Sequence, residues 1–352
     1  MKILLISNMY PSKKNPTFGT FIRNIEEGLI NNHDCIVDKV IINRNNLKPV
    51  RKLFVYIHFS LKCIYTILTQ RHDIVYVHFV SHSYIPLLFL PKVLIRKLVI
   101  NFHGTDFFSK KKILQKIIIR AIRKSDLVVV PSKYFKLLVS ERFNKKEEDI
   151  FISPSGGVPE HFFKMHELSN KNEFTLGFVG RVIEEKGWKL FIKAIIELKH
   201  NNYNVQGIIV GPGDSIIINE YIKKMGISNQ VKYLGPISHQ KLPETYRKLD
   251  LFIFPTLFDE SLGLVPIEAM ANSVPSICSN FEAANSYIQD GNNGFLFEKG
   301  NTKELTNKVI NYINLNQEEK NNLRNAAYKK ALEFSTINIS KSLYVKFKKI
   351  LN

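Results

Sequence analysis

The sequence contains few cysteines, and their positions follow no disulfide or metal-ligand pattern. Among its 352 residues are three cysteines, Cys35, Cys63 and Cys278, which are odd in number and far apart. Disulfide frameworks and zinc sites show paired or closely spaced cysteines. We therefore expect reduced thiols, as in cytosolic proteins.

Long apolar runs are also absent. The first residues, MKILLISNMYP, form an apolar segment too short for a signal peptide, and the longest later run, residues 74–91, is interrupted by histidines, serines and a proline. A helix that crosses a bilayer needs about 20 predominantly apolar residues. The sequence therefore predicts neither a leader nor a membrane-spanning segment.

Acidic residues are too few to balance the basic ones. Asp and Glu total 31 against 50 Lys and Arg, which gives a formal net charge of +19. Residues 1–170 hold 27 basic and 13 acidic residues, whereas residues 171–352 hold 23 and 18. A one-sided basic surface indicates an anionic partner, namely a membrane, a nucleic acid or a phosphorylated substrate. A lysine-rich, AT-biased genome is the alternative explanation of the total charge, but it does not explain the asymmetry.

The sequence is rich in short runs of Ile and Val that alternate with amphipathic segments. The runs KILLIS, DIVYVHF and DLVVVPS begin a first series, and FTLGFVGR, VQGIIVGPG and DLFIFPT belong to a second. Such runs are typical of buried parallel strands. The two series predict two doubly wound α/β domains facing one another. We place the first at residues 1–165, completed by a helix at residues 336–352, and the second at residues 166–335, with residues 164–173 as the linker.

Ligands of doubly wound domains bind at the carboxyl ends of the strands, so the residues that follow each strand are the candidates. In GRVIEEKG, Arg181 and Lys186 lie five residues apart at a strand end and can converge on a diphosphate. Two solvated surface cations are the alternative for this stretch alone. Gly211, in the strand-end turn VGPGD, is a weaker candidate, since a short Gly-x-Gly is more often a tight turn.

A second candidate stretch, FDESLGLVPIEAMAN, carries Glu260 and Glu268 with seven residues between them. Gly263 and Leu264 lie where a helix is predicted to begin, and backbone N–H groups there can bind an anion. The helix dipole explains part of Glu268 but nothing of Glu260. Carboxylates accept hydrogen bonds from vicinal diols, so these two side chains predict sugar hydroxyls beside an anion site.

The combination resembles the retaining GT-B glycosyltransferases of family 4. In that family the second domain carries G-R-x(3–5)-K-G followed by two glutamates separated by seven residues, as GRVIEEKG and ESLGLVPIE do here. The N-terminal half also fits, because NPTFGTFIRN resembles the glycine turn after the first strand and NFHGTD the histidine motif. The resemblance covers essentially the whole chain and implies a GT-B fold of two Rossmann-like domains around a central cleft.

The resemblance implies a role for each donor-site residue. Arg181 and Lys186 would hold the donor diphosphate, assisted by backbone amides around Gly263 and Leu264. We place Gly211 among the same donor-binding residues.

The two glutamates would bind sugar hydroxyls, with Glu268 on the ribose and Glu260 on the transferred sugar. Gly19 would let the first-domain turn approach the donor phosphates. The family often has a double glycine there, whereas this sequence has Phe18 and Gly19.

His103 would contact the donor sugar near the reacting centre, and Thr105 and Asp106 would lie on the acceptor side. A lone histidine is more often structural, but the strand-end position in HGTD favours a site role. The predicted catalytic residues are therefore His103, Glu260, Arg181 and Lys186.

The resemblance implies a hexosyltransferase that retains the anomeric configuration. No carboxylate is placed for a double displacement, which favours front-face attack. No Asp-x-Asp pair is present, so we expect a metal-independent site without cofactors, in which Arg181, Lys186 and the helix N-terminus stabilise the leaving diphosphate.

The expected substrates are a nucleotide-sugar donor, with UDP-sugar favoured over GDP-mannose, and a glycan or polyprenyl-diphosphate-linked acceptor of bacterial surface polysaccharide synthesis. Residues 86–125 hold ten basic residues and one acid, Asp106, which predicts contact with an anionic membrane from the cytoplasmic side. A buried helix with a solvated lysine face is the alternative. A GT-B sugar-nucleotide epimerase or a basic nucleic-acid-binding protein remain the rival functions, although no nucleic-acid-binding motif is visible.

Overall fold

In a computed structural model the chain divides into two compact units. The first unit comprises residues 1–157 and 336–352, and the second comprises residues 158–335. The structure describes residues 1–13, 15, 18–43, 48–109, 111–165 and 173–352.

The first unit is built on a six-stranded parallel sheet in the order β2-β1-β3-β4-β5-β6. Its central strands are runs of β-branched residues buried on both faces, as in α/β folds. Its strands are β1 Lys2–Ser7, β2 Ile36–Ile41, β3 Ile74–His78, β4 Leu98–Asn101, β5 Leu127–Val130 and β6 Ile150–Ile152. Its helices are α1 Thr20–His33, α2 Pro49–Thr69, α3 Val80–Ser83, α4 Lys112–Lys124, α5 Lys133–Phe143 and, from the C-terminus, α12 Thr336–Leu351.

The second unit contains another six-stranded parallel sheet, in the order β12-β11-β10-β7-β8-β9. Its strands are β7 Phe174–Val179, β8 Val205–Val210, β9 Val231–Tyr233, β10 Leu251–Phe254, β11 Ser276–Ser279 and β12 Gly294–Phe297. Its helices are α6 Trp188–His200, α7 Ser215–Lys224, α8 Leu242–Tyr246, α9 Leu264–Met270, α10 Thr302–Asn314 and α11 Gln317–Leu332. The two parallel sheets confirm the predicted α/β class.

The first unit ends at residue 157, earlier than the expected boundary at residue 165. The Val158 N–H donates to the Phe334 carbonyl oxygen at 2.8 Å, and Phe162 is buried in the second unit's core with Tyr246. Backbone pairing and apolar burial thus assign residues 158–163 to the second unit. The predicted linker, residues 164–173, lies largely outside the described residues.

Two further features bear on the sequence-based expectations. Cys35, Cys63 and Cys278, all of them described, are buried and form no disulfide. Within the described ranges, no helix combines the length and the apolar character that crossing a bilayer requires.

Candidate functional site

The second unit brings the two candidate stretches together because β7 and β10 are neighbours in its sheet. From β7 the chain continues through β8 and β9 on one side, and then crosses to β10 on the other side. The sheet therefore reverses its strand order between β7 and β10, and such a switch point is where doubly wound folds bind ligands. Arg181 and Lys186 follow β7, and Glu260 and Gly263 follow β10.

The loops after β7 and β10 are fixed against each other by backbone contacts. The Leu257 N–H donates to the Glu185 carbonyl oxygen at 2.8 Å. Gly187 has φ of 72°, and a Cβ there would lie 1.8 Å from the Pro255 carbonyl oxygen. Only glycine allows this approach, so the loop that carries Lys186 is held on the loop that carries Glu260.

Lys186 and Glu260 form an ion pair between these loops. The Lys186 ammonium contacts Glu260 Oε1, and the two side chains are 15% and 13% exposed. The same ammonium lies 5.6 Å from the ring centroid of Phe254 and 5.1 Å from that of Phe258. The positive charge of Lys186 is therefore shared between a carboxylate and two aromatic faces, and Glu260 is neutralised where it stands.

Arg181 is in a different environment from Lys186. It follows Gly180 at the end of β7 and is exposed, and its side chain forms no hydrogen bond or ion pair with any part of the chain that the structure describes. Its guanidinium is available for an anionic ligand, because no carboxylate of the described residues occupies it.

The helix after the glutamate loop begins as predicted. Gly263, with φ of 80° and ψ of 78°, precedes α9, whose first residue is Leu264. A Cβ at Gly263 would lie 3.1 Å from the Tyr287 hydroxyl. That hydroxyl is buried and has no hydrogen-bond partner among the described residues. Burial, the largest effect, and the neighbouring Cys278 and Glu260 raise the pKa of Tyr287, so a neutral hydroxyl lies beside the Gly263 turn.

Glu268 lies in α9 and is held by two side chains that the sequence analysis did not identify. Its Oε1 lies 3.0 Å from His239 Nε2, and its Oε2 accepts a 2.9 Å hydrogen bond from the Tyr246 hydroxyl. Burial and Glu268 together raise the pKa of Tyr246, which keeps the phenol protonated as a donor. Each carboxylate oxygen has a second lone pair, so both retain capacity for a ligand hydroxyl.

His239 follows β9, so the rule that strand ends carry function could have identified it in VKYLGPISHQ. Tyr246 lies in α8 and gave no sequence signal, because it reads as an ordinary core aromatic.

Gly211 has a structural explanation for its lack of a side chain. Its φ is 136°, and a Cβ there would lie 1.8 Å from the Gly180 carbonyl oxygen. The Tyr233 hydroxyl donates to the Gly211 carbonyl oxygen at 2.8 Å. Gly211 thus lets the ends of β7 and β8 approach each other behind Arg181.

In the first unit, Gly19 closes the turn between β1 and α1. Its φ is 80°, and a Cβ there would lie within 3.2–3.3 Å of backbone atoms of Met9 and Tyr10. The turn therefore lies against the end of β1. Residues 16 and 17, within the same predicted motif, lie outside the described residues.

His103 follows β4 and is coupled to His78 at the end of β3. His78 Nδ1 and His103 Nε2 are 3.1 Å apart, with the rings stacked at a centroid distance of 5.3 Å. Burial lowers the pKa of His103 to about 3 and lowers that of His78 as well, so both rings are neutral at pH 7. His78 was missed by the sequence analysis, although it ends the predicted strand DIVYVHF.

Asp106 holds the loop that carries His103. Its Oδ1 accepts from the His103 N–H at 2.9 Å and its Oδ2 from the Val80 N–H at 3.1 Å. Burial raises the pKa of Asp106 to about 6, although backbone N–H donors oppose this shift. Asp106 is 1% exposed, whereas Thr105 beside it is exposed. Of the two predicted acceptor-side residues, Thr105 is thus open to solvent and Asp106 is an internal support.

Two protein-family models match this chain. The model described as Glycosyl transferases group 1 matches residues 160–330, and the model described as Glycosyltransferase Family 4 matches residues 24–157. Together they cover most of the chain, with one model in each unit.

Curated relatives and solved structures agree with the family models. The capsular polysaccharide biosynthesis glycosyltransferase CapM of Staphylococcus aureus is 34% identical over 155 residues, which are 43% of this chain and 39% of CapM. The alpha-monoglucosyldiacylglycerol synthase of Acholeplasma laidlawii is 26% identical over 298 residues, 80% of this chain and 67% of that protein. In the matches to three curated relatives, the chain spans only 39–58% of their length.

The crystal structure of Anabaena HepE in complex with UDP has a TM-score of 0.75 to this chain and is 18% identical. The superposition covers 99% of this chain and 100% of that one. At this identity the likeness shows the fold alone, and it confirms the predicted GT-B fold.

Proposed function

This chain belongs to the glycosyltransferases of group 1 and family 4, and from that premise we propose that it transfers a sugar from a nucleotide-diphosphate sugar to a glycan or lipid-linked acceptor. The observation that carries the proposal is the paired Lys186 and Glu260 beside the unpaired Arg181, at the switch point of the second unit's sheet. This arrangement presents an anion-binding guanidinium next to carboxylates that can bind hydroxyls.

The ion pairing accounts for two carboxylates beside a diphosphate. An isolated carboxylate would repel the donor, but Glu260 is neutralised by Lys186. Glu268 is held in place because it accepts a hydrogen bond from the Tyr246 hydroxyl and lies 3.0 Å from His239 Nε2. With Glu260 paired and Glu268 held by these contacts, Glu260 binds hydroxyls of the transferred sugar and Glu268 those of the ribose.

The leaving diphosphate is stabilised by positive charge. Arg181 provides a planar fork for phosphate oxygens, and Lys186 provides a point charge that is already positioned by Glu260 and two aromatic rings. Backbone amides at Gly263 and Leu264 add to this hold. Groups aimed at the place where charge develops lower the barrier without reorganising, so the proposed transfer needs no divalent metal. Retention with front-face attack is the course that the family resemblance implies.

The family resemblance assigns contacts with the reacting sugar and the acceptor to residues of the first unit. His103 stays neutral because its pKa is about 3, so it binds the donor sugar as a hydrogen-bonding group and carries no charge. Asp106 acts as a positioning residue, because its carboxylate fixes the backbone of the His103 loop. Thr105, exposed on the same loop, faces the acceptor.

The relatives support the substrate classes. HepE was crystallised with UDP, which favours a UDP-sugar donor over GDP-mannose. CapM is named for capsular polysaccharide biosynthesis, and the Acholeplasma enzyme is named as a glycolipid synthase. We infer an acceptor of surface polysaccharide or glycolipid synthesis, with the basic first unit on the inner face of the cell membrane.

The test is a donor panel measured on the wild-type protein. Calorimetry with UDP, GDP and ADP should show binding of UDP with a clear preference, and the matching sugar nucleotides should support transfer or slow hydrolysis. The anomeric configuration of the product is then read by NMR. Absence of binding by every nucleotide diphosphate would refute the proposed function, and an inverted product would refute retention.

A further inference from the structure

Helix α2 of the first unit, Pro49–Thr69, exposes an apolar stripe along its length. At 100° per residue the stripe residues fall within an arc of about 120°, which is one continuous face of the helix. Each of their side chains is 47–66% exposed. The stripe consists of Leu53, Phe54, Ile57, Leu61, Tyr65 and Leu68. Proteins that act free in water seldom leave so large a contiguous apolar surface uncovered.

Cations line one edge of this stripe. On the same helical projection, Arg51, His58 and Lys62 lie about 80–120° from the centre of the apolar arc, which places them directly beside its edge. The helix contains no acidic residue. Arg51 and Lys62 form no ion pair with any residue in the described part of the chain, so their charges remain available.

The stretch predicted for membrane contact, residues 86–125, is partly different in character. Lys92 pairs with Asp126, and Arg96 pairs with Asp73 at 2.6 Å, so two of its cations are already neutralised. Helix α2 packs against the short 3-10 turn Ile85–Phe89 at the start of that stretch. The α2 face differs from that stretch because it places six exposed apolar side chains in one arc of a single helix, whereas α4 within the stretch exposes Ile113 among its cations.

The opposite face of α2 connects to the core and to the strand ends. Phe59 and Cys63 are buried against the sheet. The Asn8 amide, just after β1, donates to the Tyr56 hydroxyl at 3.0 Å. These contacts hold α2 on the unit, so the helix cannot cover its own stripe by turning inward. A groove of about 710 Å³ between α2 and edge strand β2 is lined from the stripe side by Arg51, Phe54 and Lys62 among others.

We propose that α2 lies in the headgroup region of an anionic bilayer, with its apolar stripe among the upper acyl chains and Arg51 and Lys62 on lipid phosphates. This deepens the membrane contact of the proposed function by assigning it to one helix. An interfacial helix of this type buries its apolar face by about 5–10 Å, and basic residues at its edge bind anionic lipid. A second copy of the chain fits less well, because α2 offers no carboxylate to the cations of its partner.

Vesicle co-sedimentation tests the proposal with two double variants of α2. Wild-type protein should partition onto phosphatidylcholine vesicles that contain phosphatidylglycerol, and much less onto phosphatidylcholine alone. Phe54→Ser with Leu61→Ser should weaken the partition at least tenfold. Arg51→Gln with Lys62→Gln should weaken it about thirtyfold on the anionic vesicles only.

Matched controls come from α7 of the second unit. Ile216 and Ile217 are also well exposed, and Lys223 and Lys224 are exposed cations. Ile216→Ser with Ile217→Ser, and Lys223→Gln with Lys224→Gln, should partition as the wild type does. Equal losses in the control and α2 variants, or no loss in the α2 variants, would overturn the assignment. A wild type that dimerises through the stripe in sedimentation velocity and does not bind vesicles would also overturn it.

Fluorescence gives a second readout. Trp188, the single tryptophan, is 2% exposed and supplies a constant background. The tryptophan emission of Leu61→Trp should shift to the blue on anionic vesicles and should be quenched by lipids brominated on their acyl chains. The emission of Ile216→Trp should show neither change. If the Leu61→Trp variant binds the vesicles and its emission is not quenched, insertion of the stripe is refuted. UDP binding is measured without vesicles and does not involve the α2 stripe. A wild-type protein that does not bind UDP would therefore refute the proposed function and leave this inference untouched.

Discussion

Replacing Glu260 with glutamine should destabilise the fold without weakening the binding of free UDP. The substitution keeps the shape of the side chain but leaves Lys186 without its carboxylate. Removing one partner of a fully buried pair costs about 3–5 kcal/mol, and surface pairs contribute about 0–1. With side chains 15% and 13% exposed, this pair lies nearer the buried limit. We expect Glu260→Gln to lower the free energy of unfolding by roughly 2–3 kcal/mol.

The same substitution frees Lys186 for phosphate. UDP affinity should therefore stay within a few-fold of wild type or increase, because an anionic neighbour has been removed. Affinity for the UDP-sugar relative to UDP should fall by about 1–3 kcal/mol, since the sugar hydroxyls lose a charged acceptor. Lys186→Gln, by contrast, should weaken UDP and UDP-sugar equally, by roughly 1.5–3 kcal/mol.

Chemical denaturation and calorimetry on both single variants and the double variant complete a thermodynamic cycle. The coupling energy for stability should be about 1–3 kcal/mol, so the double variant loses less than the two single losses combined. Asp259→Asn is the matched control. Asp259 lies next to Glu260 in the loop after β10 and pairs with Lys299, but its side chain is 51% exposed. It should change stability by under about 1 kcal/mol. Additive single losses, or equal weakening of UDP and UDP-sugar in Glu260→Gln, would refute the role given to this pair.

Four further outcomes are expected. Arg181→Ala should weaken UDP binding by roughly 1.5–3 kcal/mol in calorimetry, and unchanged affinity would remove Arg181 from the diphosphate site. Glu268→Gln should weaken UDP and UDP-sugar by similar amounts, about 1–3 kcal/mol each; a loss confined to the UDP-sugar would contradict a ribose contact. Turnover should survive excess EDTA, and restoration of an abolished rate by Mg²⁺ or Mn²⁺ would show that a metal stabilises the leaving group. Because burial raises the pKa of Asp106 to about 6, its contribution to stability is complete below pH 3.8 and is lost as pH rises through 6, a fall of about 3 kcal/mol that denaturation of Asp106→Asn should not show.

The sequence determined the class of fold and most of its strands. Buried parallel strands are short runs of Ile, Val and Phe with few polar residues, and the sequence indicated ten of the twelve strands found in the described part of the chain. The two it did not reveal are β2 and β12, although edge position alone does not explain this, because β6 and β9 are edge strands too. β2 is mostly exposed or half-buried and includes Asp38 and Lys39, which dilutes its pattern, and β12 has only four residues and begins with a glycine.

The sequence also located the candidate site where its parts are close along the chain. Arg181 and Lys186 lie in one strand-to-helix loop, and Glu260, Gly263 and Glu268 in another. A loop after a strand and a helix start are local features, and the structure has both at the expected positions. The roles given to these residues remain predictions until binding is measured.

The tertiary structure alone decided which charges meet. Lys186 and Glu260 are 74 residues apart, and they pair because β7 and β10 are neighbours in the sheet. Glu268 is held by His239 and Tyr246, which come from two other segments of the chain. The outward apolar face of α2 also shows only in the structure, since an amphipathic helix can turn its apolar side inward or outward. The order of strands in a sheet depends on the packing of the whole unit, so local sequence patterns do not predict it.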